Sequence, residues 1–437
     1  MFKWFVKHRL EGYVKKYFKR HPNTKLVAVV GSVGKTTTKR AVATMLASSF
    51  KLQGDVSDFN EQIAVPCSIL GVNYPPTSEL RKLSTWRTVF KACKHQAKDM
   101  DVAVIVQELG TDHPGEIPHF AKYLKPDITI ITAVTPEHME FFKTLQAVAQ
   151  EEFALAAVSK KVMVNIDDTP IECLQYVDPA KVLLYGFDEH ADYTIKAKVD
   201  DPLKGYSGQF ISKKNGAIDV KDIKLVGEHN LRAGIAAAGV ATELGLDAAK
   251  IQHGLTQVQS APGRMNILRG NKNSVILDDT YNSSPAAAIA ALRTLYETVS
   301  DERIAVFGGM NELGEYAEQG HKDVAEFFDG TYLSYLVTMG NMANKYFAPI
   351  ARAKGITVFE TKTPIEAGIA ANKVLDPEKN PVVLFKGSQG GIYMEEAVKI
   401  IVFETEHDKL VRQSPEWRAK KEYLYEQEFA DAETDDE

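Results

Sequence analysis

The sequence predicts an α/β chain of open, mostly parallel sheets in two successive domains, and three observations carry that prediction. Apolar, β-branched runs of strand length alternate with helical segments along most of the 437 residues. One such run, LVAVV at 26–30, breaks into a glycine-containing turn and then a helical segment, the local shape of a strand–loop–helix unit. The alternation pauses at Ala261-Pro262-Gly263, which reads as a linker, and resumes beyond it.

The elements follow in order. Residues 1–24 read as a basic N-terminal helix, with Phe2, Phe5, Val6, Leu10, Tyr13, Val14, Tyr17 and Phe18 at helical spacing. A basic amphipathic helix can lie on an anionic membrane surface. Because Tyr residues and Gly12 dilute the apolar face, packing on the following domain with solvated Lys and Arg is the favoured arrangement. Residues 25–262 read as a central domain. Its strands are LVAVV (26–30), VAVIVQELG (102–110), ITIITAV (128–134) and KVMVNI (161–166), with helices at Lys39–Ser48 and Gln146–Ser159. A polar stretch at 187–227, with turns at Asp201-Pro202 and Lys214-Asn215-Gly216, fits short alternating strands. An Ala-rich helix (Leu231–Leu244) and a second helix (Asp247–Leu255) follow. Residues 263–412 read as a doubly wound, Rossmann-like domain with strands at 275–281, 304–310, 335–340, 356–359 and 382–388. Residues 413–437 read as a helical extension (Pro415 to about Phe429) and an acidic, disordered tail.

Composition narrows the function classes. The chain is 44% hydrophobic and 25% charged, ordinary for a globular protein. Three scattered cysteines show neither metal spacing nor a disulfide framework, and they read as buried thiols of a reducing compartment. No apolar run reaches the ~20 residues of a membrane span. The expectation is a cytoplasmic protein, with the inner face of the membrane open as a site of peripheral contact through residues 2–18. The net charge is −6 and no nucleic-acid reader motif appears, which argues against nucleic-acid binding.

The chemistry concentrates where strands end. In GSVGKTTT (31–38), Gly31, Ser32, Val33 and Gly34 can turn backbone N–H groups toward phosphate oxygens. Lys35 would reach the β/γ-phosphates, the Thr36 hydroxyl would hold Mg²⁺, and Thr37 continues the helix N-terminus that favours anions. The spacing is shorter than the strict Walker pattern, which wants a glycine where Val29 stands. Glu108, at the end of a strand, can hold Mg²⁺ opposite Thr36, or serve as a structural acid. His138 follows another strand, beside Glu140, and reads as either a ligand or a structural histidine. Asn230 opens the Ala-rich helix and can bond a purine or cap the helix. Arg264 at the linker can clamp phosphate or form a surface ion pair. Asp279 and Asn282 in LDDTYNSSP (277–285), and Lys386 and Ser388 in KGS, end two strands of the second domain.

Taken in order, these motifs resemble the Mur ligases, ATP-dependent amide-forming enzymes of peptidoglycan synthesis, and within them the members that add D-alanyl-D-alanine. The likeness runs from about Leu26 to Ile401. GSVGKTTTK (31–39) resembles the family's phosphate loop. NEQIAVPCSIL (60–70) is similar to its Asn-Asn-x-Ile-Gly-x-Pro-Leu segment, which brings Asn60 into the substrate site. ELGTDHPGEI (108–117) resembles a stretch whose Glu binds Mg²⁺, and EHMEFF (137–142) one whose His binds a second Mg²⁺. EHN (228–230), GR (263–264), DDTYNSSP (278–285), GGMNELG (308–314) and KGSQ (386–389) complete the series.

The resemblance implies an ATP-dependent carboxylate–amine ligase working through an acyl-phosphate. Lys35, Glu108 and His138 would be catalytic, with Thr36, Glu108 and His138 on metal. Gly31 to Thr37, Asn230, Arg264, Asp279 and Asn282 would bind ATP, and Asn60, Lys386 and Ser388 substrate or phosphate. Its departures are three. Only 30 residues precede Gly31, where the family has a domain for the UDP-sugar, so a partner protein replacing that domain or a different substrate is expected. Gln150 aligns with a lysine that is carbamylated in many members, leaving Glu151 or Glu152 to supply the anion. Glu61 and Gly309 stand where Asn and Asp are usual. Other amide ligases (folylpolyglutamate-synthase-like, or acting on a lipid-linked substrate), a non-catalytic ATP-binding partner subunit and a small-molecule kinase are the rival readings.

Overall fold

The fold was analysed in a computed structural model, which describes residues 2–54, 62–199 and 201–422. Asn60, Glu61 and the acidic tail lie outside the described residues. Two compact units form: Met1–Val199 with Gly205–Leu225 and His229–Gln259, and Ser260–Glu437 with Asp200–Lys204 and Val226–Glu228.

The first unit is built on nine strands. These are β1 (Lys25–Val30), β2 (Leu52–Gln53), β3 (Val104–Glu108), β4 (Ile128–Ile131), β5 (Lys161–Asn165), β6 (Val182–Tyr185), β7 (Tyr193–Lys198), β8 (Tyr206–Ser212) and β9 (Gly216–Ile223). Their order in the sheet is β2-β3-β1-β4-β5-β6-β7-β8-β9. Strands β2 to β7 are paired in parallel, and β7, β8 and β9 form an antiparallel ribbon. The polar 187–227 stretch therefore forms strands, with the Lys214-Asn215 turn closing β8 onto β9.

Strand β1 is apolar throughout because both of its faces are covered. Leu26, Ala28 and Val30 enter one core, together with Leu10, Val14 and Cys93 of the helices Phe2–Arg20 and Leu83–Asp99. Val27 and Val29 enter the other, with Val42, Ile235 and Ile251 of the helices Lys35–Ala47, Glu228–Glu243 and Ala248–Gln257. The period-2 alternation of a strand thus feeds two cores at once. The helix expected from Lys39 begins at Lys35, directly after Gly34. The segment expected as one helix over Gln146–Ser159 divides into an α-helix, Leu145–Glu152, and a 3₁₀ stretch, Phe153–Val158.

The N-terminal helix packs against the protein from Val6 onward. Val6, Leu10, Val14 and Tyr17 are buried, the Tyr17 hydroxyl lies 3.1 Å from Thr24 Oγ1, and Glu11 sits 2.7 Å from His119 Nε2. Phe2 and Phe5, which share the helical spacing of that stripe, are exposed.

The second unit holds β10 (Asn266–Arg269), β11 (Val275–Asp279), β12 (Arg303–Gly308), β13 (Tyr335–Met339), β14 (Thr357–Thr361) and β15 (Val382–Lys386). Their order is β10-β11-β15-β12-β13-β14, parallel except for the antiparallel edge strand β10. Alternate residues again serve two cores: Ala305 and Phe307 one, Ile304 and Val306 the other. Residues 415–422 are helical, and the rest of the expected C-terminal helix lies outside the described residues. Among the described residues no helix is long and apolar enough to cross a membrane. Cys67, Cys93 and Cys173 are free and buried.

Leu10 is fully buried, so Leu10→Ala is expected to lower stability by about 2–4 kcal/mol. Lys15→Ala, on the exposed side of the same helix, is expected to change it by less than about 0.5 kcal/mol. Urea unfolding of the two variants checks the pair.

Candidate active site

In the first unit, strand β1 ends at Val30 and the chain turns through Gly31–Gly34 into the Lys35–Ala47 helix. Gly31 has φ +128°, and a Cβ there would meet the backbone nitrogens of Thr132 and Ala133 at 2.9 Å. Gly34, at φ +86°, holds the left-handed conformation immediately before the helix. The loop is anchored to the segment after β4: Ser32 N–H donates to Ala133 O (3.0 Å), Ser32 Oγ to Thr135 O (3.1 Å), and Thr135 N–H to Ser32 Oγ (3.1 Å).

Lys35 folds back over this loop. Its Nζ donates to Gly31 O (2.5 Å) and Ser32 O (3.0 Å) and lies 3.8 Å from Glu137 Oε2. His138, at φ +51°, holds Nε2 3.9 Å from Glu137 Oε1 and 3.5 Å from Asp112 Oδ1. The structure thus gathers Lys35, Glu137, His138 and Asp112 into one cluster beside the loop. Thr36 and Thr37 are buried in the first helical turn. Glu108 is buried at the end of β3, in register with Val29 of β1, which places it one strand from the loop.

Three neighbours on the Leu145–Glu152 helix take different directions. Gln150 is exposed. Glu151 is spent on structure: it accepts from Gly115 N–H (2.8 Å), Ile117 N–H (2.7 Å) and Thr111 Oγ1 (3.3 Å), which caps the Glu116–Ala121 helix. Glu152 is buried under the glycine loop, and its Oε2 accepts the Gly31 N–H at 2.7 Å. Burial pushes the Glu152 carboxyl up to about 7, with Lys35 pulling it down and Glu137 pushing it up. In the sequence Glu137 stands out only as part of EHMEFF, and Glu152 only as one of two carboxylates beside Gln150. The signal available for Glu137 is its place directly before His138.

In the second unit, Asp279 and Lys386 end the paired strands β11 and β15 opposite one another. Lys386 Nζ lies 2.8 Å from Asp279 Oδ2 and donates to Asn282 O at 2.7 Å. Burial lowers the pKa of Lys386 and Asp279 opposes the shift. Asn282 Oδ1 accepts from Ser388 Oγ (3.1 Å). Arg264 stacks its guanidinium 4.2 Å over the Tyr281 ring. Asp279, Asn282, Lys386 and Ser388 therefore form one network, with Arg264 beside it on the Tyr281 ring. Asp278 accepts the Gly263 N–H (2.9 Å) and Asp279 the Met265 N–H (3.1 Å), so both carboxylates fix the linker backbone. The sequence had no sign of Arg412, which donates to Thr280 O (2.7 Å) and Tyr281 O (3.0 Å) while held bidentately by Glu395. Asn230 is buried in the first turn of the Glu228–Glu243 helix, in the first unit.

The donor types fit a phosphate-bound Mg²⁺. That ion takes oxygen ligands, usually one or two carboxylates plus phosphates and waters. The buried Thr36 hydroxyl and the Glu108 carboxylate are such donors. Among the described residues no group of three or more His, Cys, Asp or Glu forms a cage of its own; an ion shared with phosphate does not need one.

The Glu152 carboxyl titrates near 7 in the folded protein against an ordinary value of 4.5. Between those values the folded state keeps a proton that the unfolded chain has lost, so this group's contribution to stability falls as pH rises through the window. Glu152→Gln is expected to flatten that slope in metal-free protein, read as the thermal midpoint against pH; an unchanged slope would count against the protonated form. For the buried Lys386–Asp279 pair, Lys386→Met or Asp279→Asn alone is expected to cost about 3–5 kcal/mol, because each strands the other charge. The double variant is expected to cost clearly less than the sum, which a double-mutant cycle by urea unfolding measures.

Comparison with known proteins agrees with this architecture. The family model "Mur ligase middle domain" matches residues 29–241, and "Mur ligase, glutamate ligase domain" matches residues 263–389. The chain is 27% identical over 398 residues to the UDP-N-acetylmuramoyl-tripeptide–D-alanyl-D-alanine ligase of Haemophilus influenzae, covering 89% of this chain and 79% of that protein. Its fold is similar to a crystal structure of MurF from Acinetobacter baumannii, with a TM-score of 0.72 at 22% identity over 89% of this chain and 79% of that one. It is also similar to the folylpolyglutamate synthase of Mycobacterium tuberculosis, with a TM-score of 0.62 at 16% identity over 89% and 94%. With both domain models matched in order across most of its length, the chain belongs to the Mur ligase family.

Proposed function

We propose that the protein is an ATP-dependent carboxylate–amine ligase that joins D-alanyl-D-alanine, or a closely similar amine, to a UDP-N-acetylmuramoyl-tripeptide-like precursor. The observation that carries this reading is the Lys35 ammonium folded over a glycine loop between the ends of β3 and β4, with Glu108 and His138 on those flanking segments. The ligase names of the relatives support the substrate assignment.

In this reading the γ-phosphoryl group of ATP passes to the substrate carboxylate, and the amine then displaces phosphate from the acyl-phosphate to form the amide. Catalysis of such transfers is positioning and charge neutralisation. Backbone N–H groups of Val33 and Gly34 cradle phosphate, those of Gly31 and Ser32 being given to Glu152 and Ala133 O, and Lys35 exchanges its carbonyl contacts for phosphate oxygens. Thr36 and Glu108 would hold Mg²⁺, which supplies positive charge to the phosphates. His138, steadied by Glu137 and Asp112, would hold a second Mg²⁺ near the substrate carboxylate. Glu152 takes the role of the buried anion that Gln150, being exposed, does not fill. Within the first unit, Asn230 is the further nucleotide-binding candidate; Arg264, Asp279 and Asn282 are the candidates grouped within the second. Lys386 acts through the loop it holds, and Ser388 with it.

Phosphate release by the purified protein with ATP and Mg²⁺ tests the reading, alone and with UDP-N-acetylmuramoyl-tripeptide plus D-alanyl-D-alanine. Release is expected only with both substrates, with a product of the condensed mass, and Lys35→Ala is expected to lose at least about 10²-fold. ADP and a stable phosphorylated tripeptide formed without the amine, with no phosphate released, would instead indicate a kinase.

A further inference from the structure

We infer that the face shared by the Phe2–Arg20 and Leu83–Asp99 helices docks on an anionic lipid bilayer. The two helices leave a groove of about 480 Å³ between them. Its lining includes Phe2, Phe5, Trp86 and Phe90, with Phe2 set edge-on to Trp86 and Phe5 edge-on to Phe90 at centroid distances of 6.5 and 6.2 Å. Along it, apolar side chains stand out into solvent: Phe2 is 41%, Phe5 47% and Leu83 64% exposed. Large aromatic and aliphatic groups placed together in this way mark an interaction surface.

The charge on this face is of one sign. Arg9, Arg87, Lys91 and Lys94 line the groove. Arg9 is stacked over Phe90, 4.6 Å from the ring centroid, and among the described residues no carboxylate pairs with Arg87, Lys91 or Lys94. The two helices carry just two acids. Glu11 is buried against His119, and Asp99 lies at the far end beside His95 and Lys98. The chain as a whole has a net charge of −6, so this cationic face runs against the balance of the molecule.

The combination selects the occupant. A nucleic acid or an acidic protein would satisfy the cations and leave Phe2, Phe5 and Leu83 in water. A bilayer interface takes both: aromatic and aliphatic tips enter the boundary of headgroups and acyl chains, and Lys and Arg meet anionic headgroups. The apolar stripe from Val6 onward is already used for packing, so the contact is made by the helix start and the groove, not by the full amphipathic face. The inference does not depend on the ligase reading.

The test uses the full-length protein and vesicles of phosphatidylcholine alone or mixed with phosphatidylglycerol. Co-sedimentation is expected with the mixed vesicles only, weakening as salt is raised. Lys91→Glu with Lys94→Glu is expected to weaken binding at least ~10-fold, and Leu83→Ser to weaken it as well; both should leave phosphate release and the urea midpoint unchanged. Equal binding to both vesicle types, binding indifferent to these substitutions, or capture by an RNA oligonucleotide with no vesicle binding would each overturn the inference.

Discussion

The parallel pairing of β1 between β3 and β4 is the constraint on which the first unit's site depends. Because β1 buries Leu26, Ala28 and Val30 on one side and Val27 and Val29 on the other, its register is held by two cores at once. A slip of one residue would exchange those sets. The same register sets Glu108 opposite Val29 and Ile131 opposite Val30, so three strand ends deliver the loop, the acid and the His138 segment to one place. The loop contributes little apolar burial of its own. It is held by hydrogen bonds from Ser32 and by the close approach of Gly31 to the backbone at Thr132 and Ala133, where a side chain has no room.

Both units spend buried charge on backbone. Glu152 accepts the Gly31 N–H; Asp278 accepts the Gly263 N–H; Asp279 accepts the Met265 N–H; Arg412 donates to two carbonyls. Burying such groups costs desolvation that pairing only partly offsets. What is gained is geometry: a peptide group fixed by a charged partner needs no reorganisation when a charged ligand arrives. Glu152 shows the tension most clearly, since burial raises its pKa while Lys35 favours its ionised form.

Much of this was legible in the sequence. Strands read well because apolar runs with β-branched residues have few alternatives, and Gly31, Gly34 and Lys35 could be assigned because each chemical part has a fixed place relative to a strand end. Glu108, Asp279 and Lys386 were placed at strand ends by the same rule, and they stand there. The helix Leu145–Glu152 was less legible. Successive helical residues point about 100° apart, so Gln150, Glu151 and Glu152 face solvent, a capped helix and the glycine loop, and only the rotation of the packed helix decides which is which. The N-terminal helix packs on the unit as favoured, but spacing alone did not separate Phe2 and Phe5, which stay exposed beside Trp86 and Phe90, from the buried Val6, Leu10 and Val14.

Arg412 was illegible for a different reason: it lies 131 residues from Tyr281 and no local pattern connects them. Its effect is nonetheless large. Glu395, fully buried, grips the guanidinium with both oxygens and is itself approached by Lys421 Nζ at 3.1 Å. The guanidinium in turn carries the Thr280 and Tyr281 carbonyls, and Tyr281 presents its ring to Arg264. The loop bearing Asp279 and Asn282 is therefore held from two directions, by Lys386 at the strand end and by a C-terminal segment that the strand pattern does not include. A loop fixed only by its own turn residues could relax when one contact is lost. A loop clamped through buried charges at both sides has one low-energy arrangement, which is the condition for presenting a carboxylate and an amide to a ligand at fixed positions.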